Sequence, residues 1–197
     1  MRHAAAMCTV LAMCAAACAR PPVAAVIPVR TIAVFPPNNR TGDPLLIAGA
    51  SFLEKYVLPA ERYTVADALA AEARGQLARR GFDVVAPELV ARAITGTPIS
   101  NPQDAASAAA RAHLDAAVLY MEIRRWEPDA EYRPGFVIAA VGATLIDPST
   151  GRVLWSVDRP SRPVQTPGVV GLGDAYAIAA RVVIQELLAG LAPKPAA

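Results

Sequence analysis

The three cysteines of this chain, Cys8, Cys14 and Cys18, all lie within its first 18 residues. They belong to a leader in which Met1-Arg2-His3 is followed by an uncharged apolar stretch over 4–17. A membrane-spanning helix needs about 20 apolar residues, so this shorter stretch is typical of the core of a secretory signal peptide. A chain cut before Cys18 keeps one cysteine and can form no internal disulfide. Its fold must therefore be stabilised by an apolar core.

The length and composition allow such a core and exclude one class of partner. The 197 residues, 54% of them hydrophobic, suffice for one ordinary domain besides the leader. The 19 Lys+Arg against 17 Asp+Glu give a formal charge of +2, and removal of Arg2 with the leader leaves 18 against 17, or +1. This balance provides no broad basic field, so we expect no binding to nucleic acid.

The end of the leader resembles the lipobox of bacterial lipoproteins, in which small residues precede a cysteine that is acylated and becomes the first residue. Ala15-Ala16-Ala17-Cys18 matches at positions −2 and −1, whereas Leu11-Ala12-Met13-Cys14 has the commoner residue at −3 and a poor one at −1. We favour Cys18 over Cys14 as the lipidation site. By analogy with such lipoproteins, Ala19 favours sorting to the outer membrane, where several acyl chains hold a domain durably on the bilayer.

The rest of the chain indicates one folded domain between two unstructured ends. We expect a signal peptide over 1–17, a lipidated cysteine and tether over 18–29, a domain over 30–190 and a disordered tail over 191–197. Thr31–Phe35 predicts a buried strand ended by two prolines, followed by a loop over 38–44. Thr64-Val65-Ala66-Asp67 predicts the capped start of a helix that ends near Gly81, and a parallel strand follows over 82–87.

The second half predicts two short helices, three strands and a last helix. The helices are expected over 88–94 and 103–113, the strands over 117–124, 136–146 and 152–158, and the last helix from an Asp174 cap to about residue 188. Asp147-Pro148-Ser149-Thr150-Gly151 is typical of a tight turn, so the last two strands should be antiparallel. The predicted fold is one α/β sandwich with a mixed sheet, in which a β-α-β unit and helices precede a three-strand meander and a C-terminal helix.

Three segments resemble envelope lipoproteins whose domain is similar to the N-terminal domain of TolB. They are Thr31-Ile32-Ala33-Val34-Phe35-Pro36-Pro37-Asn38-Asn39, Arg80-Gly81-Phe82-Asp83-Val84-Val85-Ala86-Pro87 and Leu145-Ile146-Asp147-Pro148-Ser149-Thr150-Gly151-Arg152-Val153-Leu154-Trp155-Ser156. The group includes the curli secretion channel CsgG, the penicillin-binding-protein activator LpoB, the Pel export lipoprotein PelC and uncharacterised lipoproteins. The resemblance spans about residues 30–190 and implies a non-enzymatic periplasmic domain that binds other proteins or itself.

Catalytic and metal-binding patterns are sparse. His113 is the only histidine after the leader, and it stands where a helix should end. The carboxylates are scattered, so we expect no metal site and no cofactor. The glycines over 168–173 lack the lysine and the spacing of nucleotide-binding loops, and we interpret them as a helix entry. The alternative to a non-enzymatic role is a periplasmic hydrolase that uses Ser51 or Asp115 with His113.

Two segments have the composition of interaction surfaces. The first, which we call the insertion, covers 45–63 between a strand and its crossover helix, is apolar and long for such a connection, and includes Phe52 and Tyr56. The second covers 124–136 and includes Arg125, Trp126 and Tyr132, residue types enriched at binding hot spots. The alternative for the insertion is an extra element that covers the core. The alternative for the second segment is a plain exposed hairpin.

These features predict a lipid-anchored protein on the periplasmic face of the outer membrane that assembles or regulates a cell-envelope complex. We expect protein partners or self-association into a dimer or ring. The sequence does not separate an accessory subunit of an export apparatus from an activator of a peptidoglycan synthase.

Overall fold

The structure, a computed structural model, describes residues 25–47 and 63–193. The strands in chain order are β1 (Ala25–Ile27), β2 (Thr31–Val34), β3 (Asn38–Asn39), β4 (Asp83–Val84), β5 (Ala117–Pro128), β6 (Phe136–Ile146), β7 (Val153–Gln165) and β8 (Leu191–Pro193). The helices are α1 (Val65–Arg79), α2 (Pro87–Ile94), α3 (Pro102–Arg111) and α4 (Leu172–Leu187), and one 3-10 turn covers Leu188–Gly190.

The β-α-β unit predicted from the sequence is present. Thr64 and Asp67 form a reciprocal capping box at the start of α1, with the Asp67 amide donating to Thr64 Oγ1 at 3.2 Å and the Thr64 amide to Asp67 Oδ2 at 2.9 Å. After α1 the chain reverses at Gly81, whose φ of 86° is a conformation that favours glycine. It then enters β4, which pairs parallel to β2.

The three long strands form the predicted antiparallel meander. The sheet order is β4-β2-β5-β6-β7, and the short strand β3 also pairs with β5. β2 and β5 are parallel, whereas the β5–β6 and β6–β7 pairs are antiparallel, so the sheet is mixed. Asp147 closes the β6–β7 turn by accepting hydrogen bonds from Ser149 and Thr150. The α/β sandwich with a mixed sheet is therefore confirmed.

Helices cover the two faces of the sheet unequally. α1 and α4 pack on one face over nearly the full length of the meander and bury residues such as Leu119, Val141 and Ile184. On the other face, α2 and α3 cover only the start of β5 and the end of β6, around Val118, Tyr120 and Ile146. The rest of that face has no helix over it among the described residues.

A β-bulge changes the facing of side chains in the second half of β5. The register with β6 shifts between Ile123 and Arg125, which places one extra residue in β5. Without the bulge, strict alternation would point Ile123 and Trp126 to opposite faces. With it, both residues are buried in the core beneath α1 and α4.

Several boundaries differ from those predicted. β5 extends to Pro128, which is its last residue. β7 continues through Pro160 and Pro163, because it is an edge strand with a register shift near residue 160, where proline is tolerated. The loop predicted over 38–44 contains β3. Helix α4 is capped by Gly171, and Asp174, predicted as the cap, lies in the first turn.

The folded part also extends beyond residues 30–190. β1 and β8 pair in parallel, with Ala25 opposite Leu191 and Ile27 opposite Pro193. These two strands lie where the sequence predicts a tether and a tail. Ile27 and Leu191 are both buried, so burial of apolar side chains accounts for the pairing.

Candidate functional site

The uncovered part of the sheet carries a row of charged side chains, which we call the open face. Arg40, directly after β3, pairs with Glu122 of β5 at 2.6 Å, and Arg124 of β5 pairs with Asp158 of β7. Within β5, Arg125 pairs with Glu127 at 2.6 Å and also donates to Ser161 Oγ of β7 at 3.1 Å. The hydrogen bond between Arg125 and Glu127 raises the pKa of Arg125 and lowers that of Glu127.

A cleft of about 370 Å³ lies where the open face meets the start of α3. Tyr120 forms one wall: its hydroxyl donates to the Ser100 carbonyl at 2.9 Å and accepts from Asn38 Nδ2 at 3.1 Å. Burial raises the pKa of Tyr120 despite the hydrogen bond from Asn38. The lining offers hydrogen-bond donors and acceptors, and its charged side chains are paired with one another, as at a polar contact surface.

Trp126 is buried, which corrects its predicted role at a partner interface. Only 2% of its surface is exposed, and its ring packs edge-to-face on Tyr176 of α4 with centroids 6.1 Å apart. The bulge in β5 is the physical reason, because it turns Trp126 toward the core. Arg125 and Tyr132, predicted with it, are exposed.

Tyr132 stands on the turn between β5 and β6, residues 129–135, which we call the hairpin tip. Its side chain is 82% exposed. The tip is attached to the chain after β7, because buried Thr166 donates its hydroxyl to the Pro134 carbonyl and its amide to the Gly135 carbonyl, each at 2.8 Å. Sequence reasoning missed Thr166, since no local pattern marks a contact between segments more than 30 residues apart.

The two ends of the insertion meet at one point beside α4. Leu46 and Thr64 form an antiparallel bridge, and the Ile47 amide donates to the Tyr63 carbonyl at 2.9 Å. The Ile47 carbonyl lies so close to Gly173 that a Cβ there would overlap it. Residues 48–62, including Ser51, Phe52 and Tyr56, lie outside the described residues, as do Cys14 and Cys18.

His113 has a structural role at the end of α3. It adopts a positive φ of 52° just after the helix. Its amide donates to the Ala110 carbonyl at 3.1 Å and the Leu114 amide to the Ala109 carbonyl at 3.0 Å, the two bonds of a Schellman motif. His113 and Asp115 line one shallow pocket, but within the described ranges no carboxylate forms an ion pair with the imidazole. This geometry provides no support for the hydrolase alternative.

Residues 25–47 and 63–193 contain neither a candidate metal site nor a candidate membrane-spanning helix. No group of three or more His, Cys, Asp or Glu side chains there could hold a metal ion. None of the helices formed by these residues has both the length and the apolar character needed to cross a bilayer.

The sequence matches no protein-family model and no curated protein. The structure is similar to the PelC dodecamer from Paraburkholderia phytofirmans, with a TM-score of 0.53, 19% identity and coverage of 87% of this chain and 94% of that chain. A single-residue variant of the same dodecamer has a TM-score of 0.50 and 20% identity, with coverage of 84% of this chain and 90% of that chain. The lipoprotein GNA1162 from Neisseria meningitidis has a TM-score of 0.47 and 18% identity, with coverage of 81% of this chain and 98% of that chain.

The similarity to PelC extends over most of both chains, although the sequences have diverged to about one identical residue in five. At that level of identity, the similarity shows only that the helices and strands are arranged in the same way. It agrees with the fold that the resemblance to envelope lipoproteins implies. The described residues therefore share the fold of the PelC subunit.

Proposed function

We propose that this chain is a non-enzymatic lipoprotein, anchored through Cys18 on the periplasmic face of the outer membrane, that assembles or regulates a cell-envelope complex through protein contacts. The observation that carries the proposal is the fold shared with PelC, whose solved structure is a dodecamer. The lipobox supports the anchor. The open face, with its paired charges and shallow cleft, supports a contact role over a catalytic one.

The fold has two ends, and the anchor enters at one of them. Thr31 starts β2 beside the beginning of β5, at the same end of the sheet as the β6–β7 turn. The hairpin tip lies at the other end, where β5 finishes. A strand rises about 3.3 Å per residue, so the 12 residues of β5 separate the two ends by about 36 Å. Contacts made at the hairpin tip or the insertion are therefore remote from the tether.

We further propose that the insertion, through Phe52 and Tyr56, makes the contact between copies of this chain. Its two described ends are held together by the Leu46–Thr64 bridge, so the 15 residues between them leave and re-enter the domain at one place. Connections of this length between a strand and its crossover helix are usually functional. Aromatic side chains are common anchors of protein interfaces.

Light scattering of residues 19–197 over a range of concentrations tests self-association. We expect a defined dimer or ring, and we expect Phe52→Ser with Tyr56→Ser to dissociate it. Val153→Ser is the matched control, because Val153 is an exposed apolar residue at the opposite end of the sheet. An oligomer that dissociates in the double variant favours an export subunit. A monomer at all concentrations contradicts self-association and leaves a tethered adaptor that acts on another protein.

A further inference from the structure

Two large apolar side chains are exposed to solvent, one on the hairpin tip and one in the segment after β7. Tyr132 is 82% exposed, and Val170, in the segment between β7 and α4, is 71% exposed. The two segments are joined by the hydrogen bonds of Thr166 to Pro134 and Gly135. The segment that carries Val170 thus begins at a residue attached to the hairpin tip, and Tyr132 lies at the end of the sheet where β5 finishes.

The hairpin tip is held in one conformation. Asp129 and Phe136 are linked twice, because the Asp129 amide donates to the Phe136 carbonyl at 3.1 Å and the Phe136 amide donates to Asp129 Oδ1 at 3.2 Å. Arg133 has a φ of 53°, a left-handed conformation that is unfavourable for a residue with a Cβ. Such strain persists only where the surroundings impose it, and it is common at binding sites. The tip therefore holds Tyr132 outward on a fixed base.

The charges around Tyr132 are mainly acidic. Asp129 and Glu131 precede it on the tip, against the single positive charge that Arg133 provides among residues 129–135. Two such surfaces carry like charge and repel one another, so tip-to-tip pairing of two copies is disfavoured. A partner with basic residues is attracted to the same surface.

We propose that the hairpin tip docks this chain onto a different envelope protein, with Tyr132 filling an apolar pocket that is bordered by lysine or arginine side chains. The inference rests on the proposed function, since it assigns a surface and a partner chemistry to the protein contacts described above. Tyr132 is the anchor, because a rigid aromatic side chain loses little conformational entropy when it is buried. Thr166 and Arg133 are positioning residues that act through the shape of the tip.

Site-specific photocrosslinking of the full-length protein in cells tests the first part of the proposal. With p-benzoylphenylalanine at position 132 we expect one dominant adduct with a different envelope protein, identified by mass spectrometry. The same probe at Val153, at the opposite end of the sheet, should not give that adduct. Adducts with a second copy alone, with lipid alone, or with no species above background overturn the proposal.

Binding of the purified partner to full-length protein in detergent tests the chemistry. Tyr132→Ala should weaken the affinity at least about tenfold and Tyr132→Phe much less, since the ring supplies most of the contact. Glu131→Lys should slow association and reduce its dependence on salt. An affinity that Tyr132→Ala leaves unchanged, or a pocket on the partner without basic residues, overturns the proposal.

Arg133→Gly tests the positioning role without endangering the fold. Glycine relieves the positive φ, so the thermal midpoint should stay the same or rise while partner affinity falls because the tip loosens. Unchanged affinity in this variant contradicts a positioning role. Failure of the docking proposal is separable from failure of the proposed function, because Tyr132→Ala should leave membrane retention and the light-scattering mass unchanged.

Discussion

The most unusual side chain in the core is Arg159 of β7, which is only 3% exposed. Its Nε donates to Glu186 Oε2 of α4 at 2.6 Å, and its Nη1 donates to the Ala139 carbonyl of β6 at 2.5 Å. Arg162 donates to the same Glu186 oxygen at 2.7 Å. A buried cation needs such compensation, because removing one partner leaves its charge unpaired in a poorly solvated place.

Glu186→Gln should therefore destabilise the protein at neutral pH, by about 1–3 kcal/mol for a hydrogen bond between charged groups. Burial alone would raise the pKa of Glu186, but the hydrogen bonds and charges of Arg159 and Arg162 lower it below 4.5 overall. A lowered folded-state pKa gives stability that is present above the ordinary carboxyl pKa and is lost as the pH falls through the folded-state value. In urea melts the difference between wild type and variant should shrink below about pH 4.5. A difference that is constant down to pH 3 would contradict the role of the ionised pair.

Trp126 and Tyr132 are six residues apart, but their substitution by alanine should change the free energy of unfolding by very different amounts. Trp126→Ala removes a buried ring that packs on Tyr176 and should cost about 3–5 kcal/mol of unfolding free energy. Tyr132→Ala should change stability by less than about 0.5 kcal/mol, because its side chain is exposed. Chemical denaturation of both variants checks this contrast. Equal losses would mean that the bulge in β5 does not turn Trp126 into the core.

At the scale of elements, the start of α1 and the turn between β6 and β7 were predictable because their signals are local. The Thr64–Asp67 capping box and the Asp147–Gly151 turn each follow from residues within four positions of one another. The full length of β7 was not predictable, because proline is tolerated there only through an edge position and a register shift that depend on other strands. The burial of Trp126 was not predictable either, because one inserted residue reverses the face of the sheet to which every later side chain of the strand points.

The contact between α4 and the insertion gives a prediction at the same scale. Gly173→Ala places a Cβ against the Ile47 carbonyl, which is backbone and cannot rotate away. We expect a loss of about 1–3 kcal/mol in unfolding free energy, as for overpacking elsewhere. If the insertion mediates self-association, the variant should also weaken the oligomer in light scattering.

Gly75→Ala is the matched control, because glycine is unfavourable inside helix α1 and only the flexible end of Arg79 lies near the added methyl group. It should stabilise the protein by up to about 1 kcal/mol. A Gly173→Ala variant as stable as Gly75→Ala would show that Ile47 does not occupy the place seen here.

For the whole molecule, the two ends of the sheet separate the proposed anchor from the proposed contact surfaces. The tether enters beside the β6–β7 turn, whereas the hairpin tip and the ends of the insertion lie at the opposite end. The sequence alone could supply the residue types of these surfaces. It could not show that they share one end, because that placement depends on the pairing of β2 with β5 and on the direction of α4.

Cys18→Ser should release the protein from the membrane into the soluble periplasmic fraction, because acyl chains on that cysteine are the proposed attachment to the bilayer. Fractionation of cells followed by immunoblotting measures the release. Cys14→Ser is the matched control and should leave the protein in the membrane. If the Cys18→Ser protein stays in the membrane while Cys14 is intact, either Cys14 is the lipidation site or the lipid-anchor proposal is wrong.

The pairing of β1 with β8 also bears on mechanics. Six residues lie between Cys18 and Ala25, so the seven Cα–Cα steps that join them limit the extended tether to about 25 Å. If Cys18 is acylated and a complex pulls on the domain, tension from the bilayer would reach β1 first, and its pairing with Leu191–Pro193 would resist that tension. Detachment of β1 would free the chain up to Thr31 and extend the tether to about 45 Å. In such an anchored protein, strand β8 would set how far the domain can move from the membrane before the main sheet is strained.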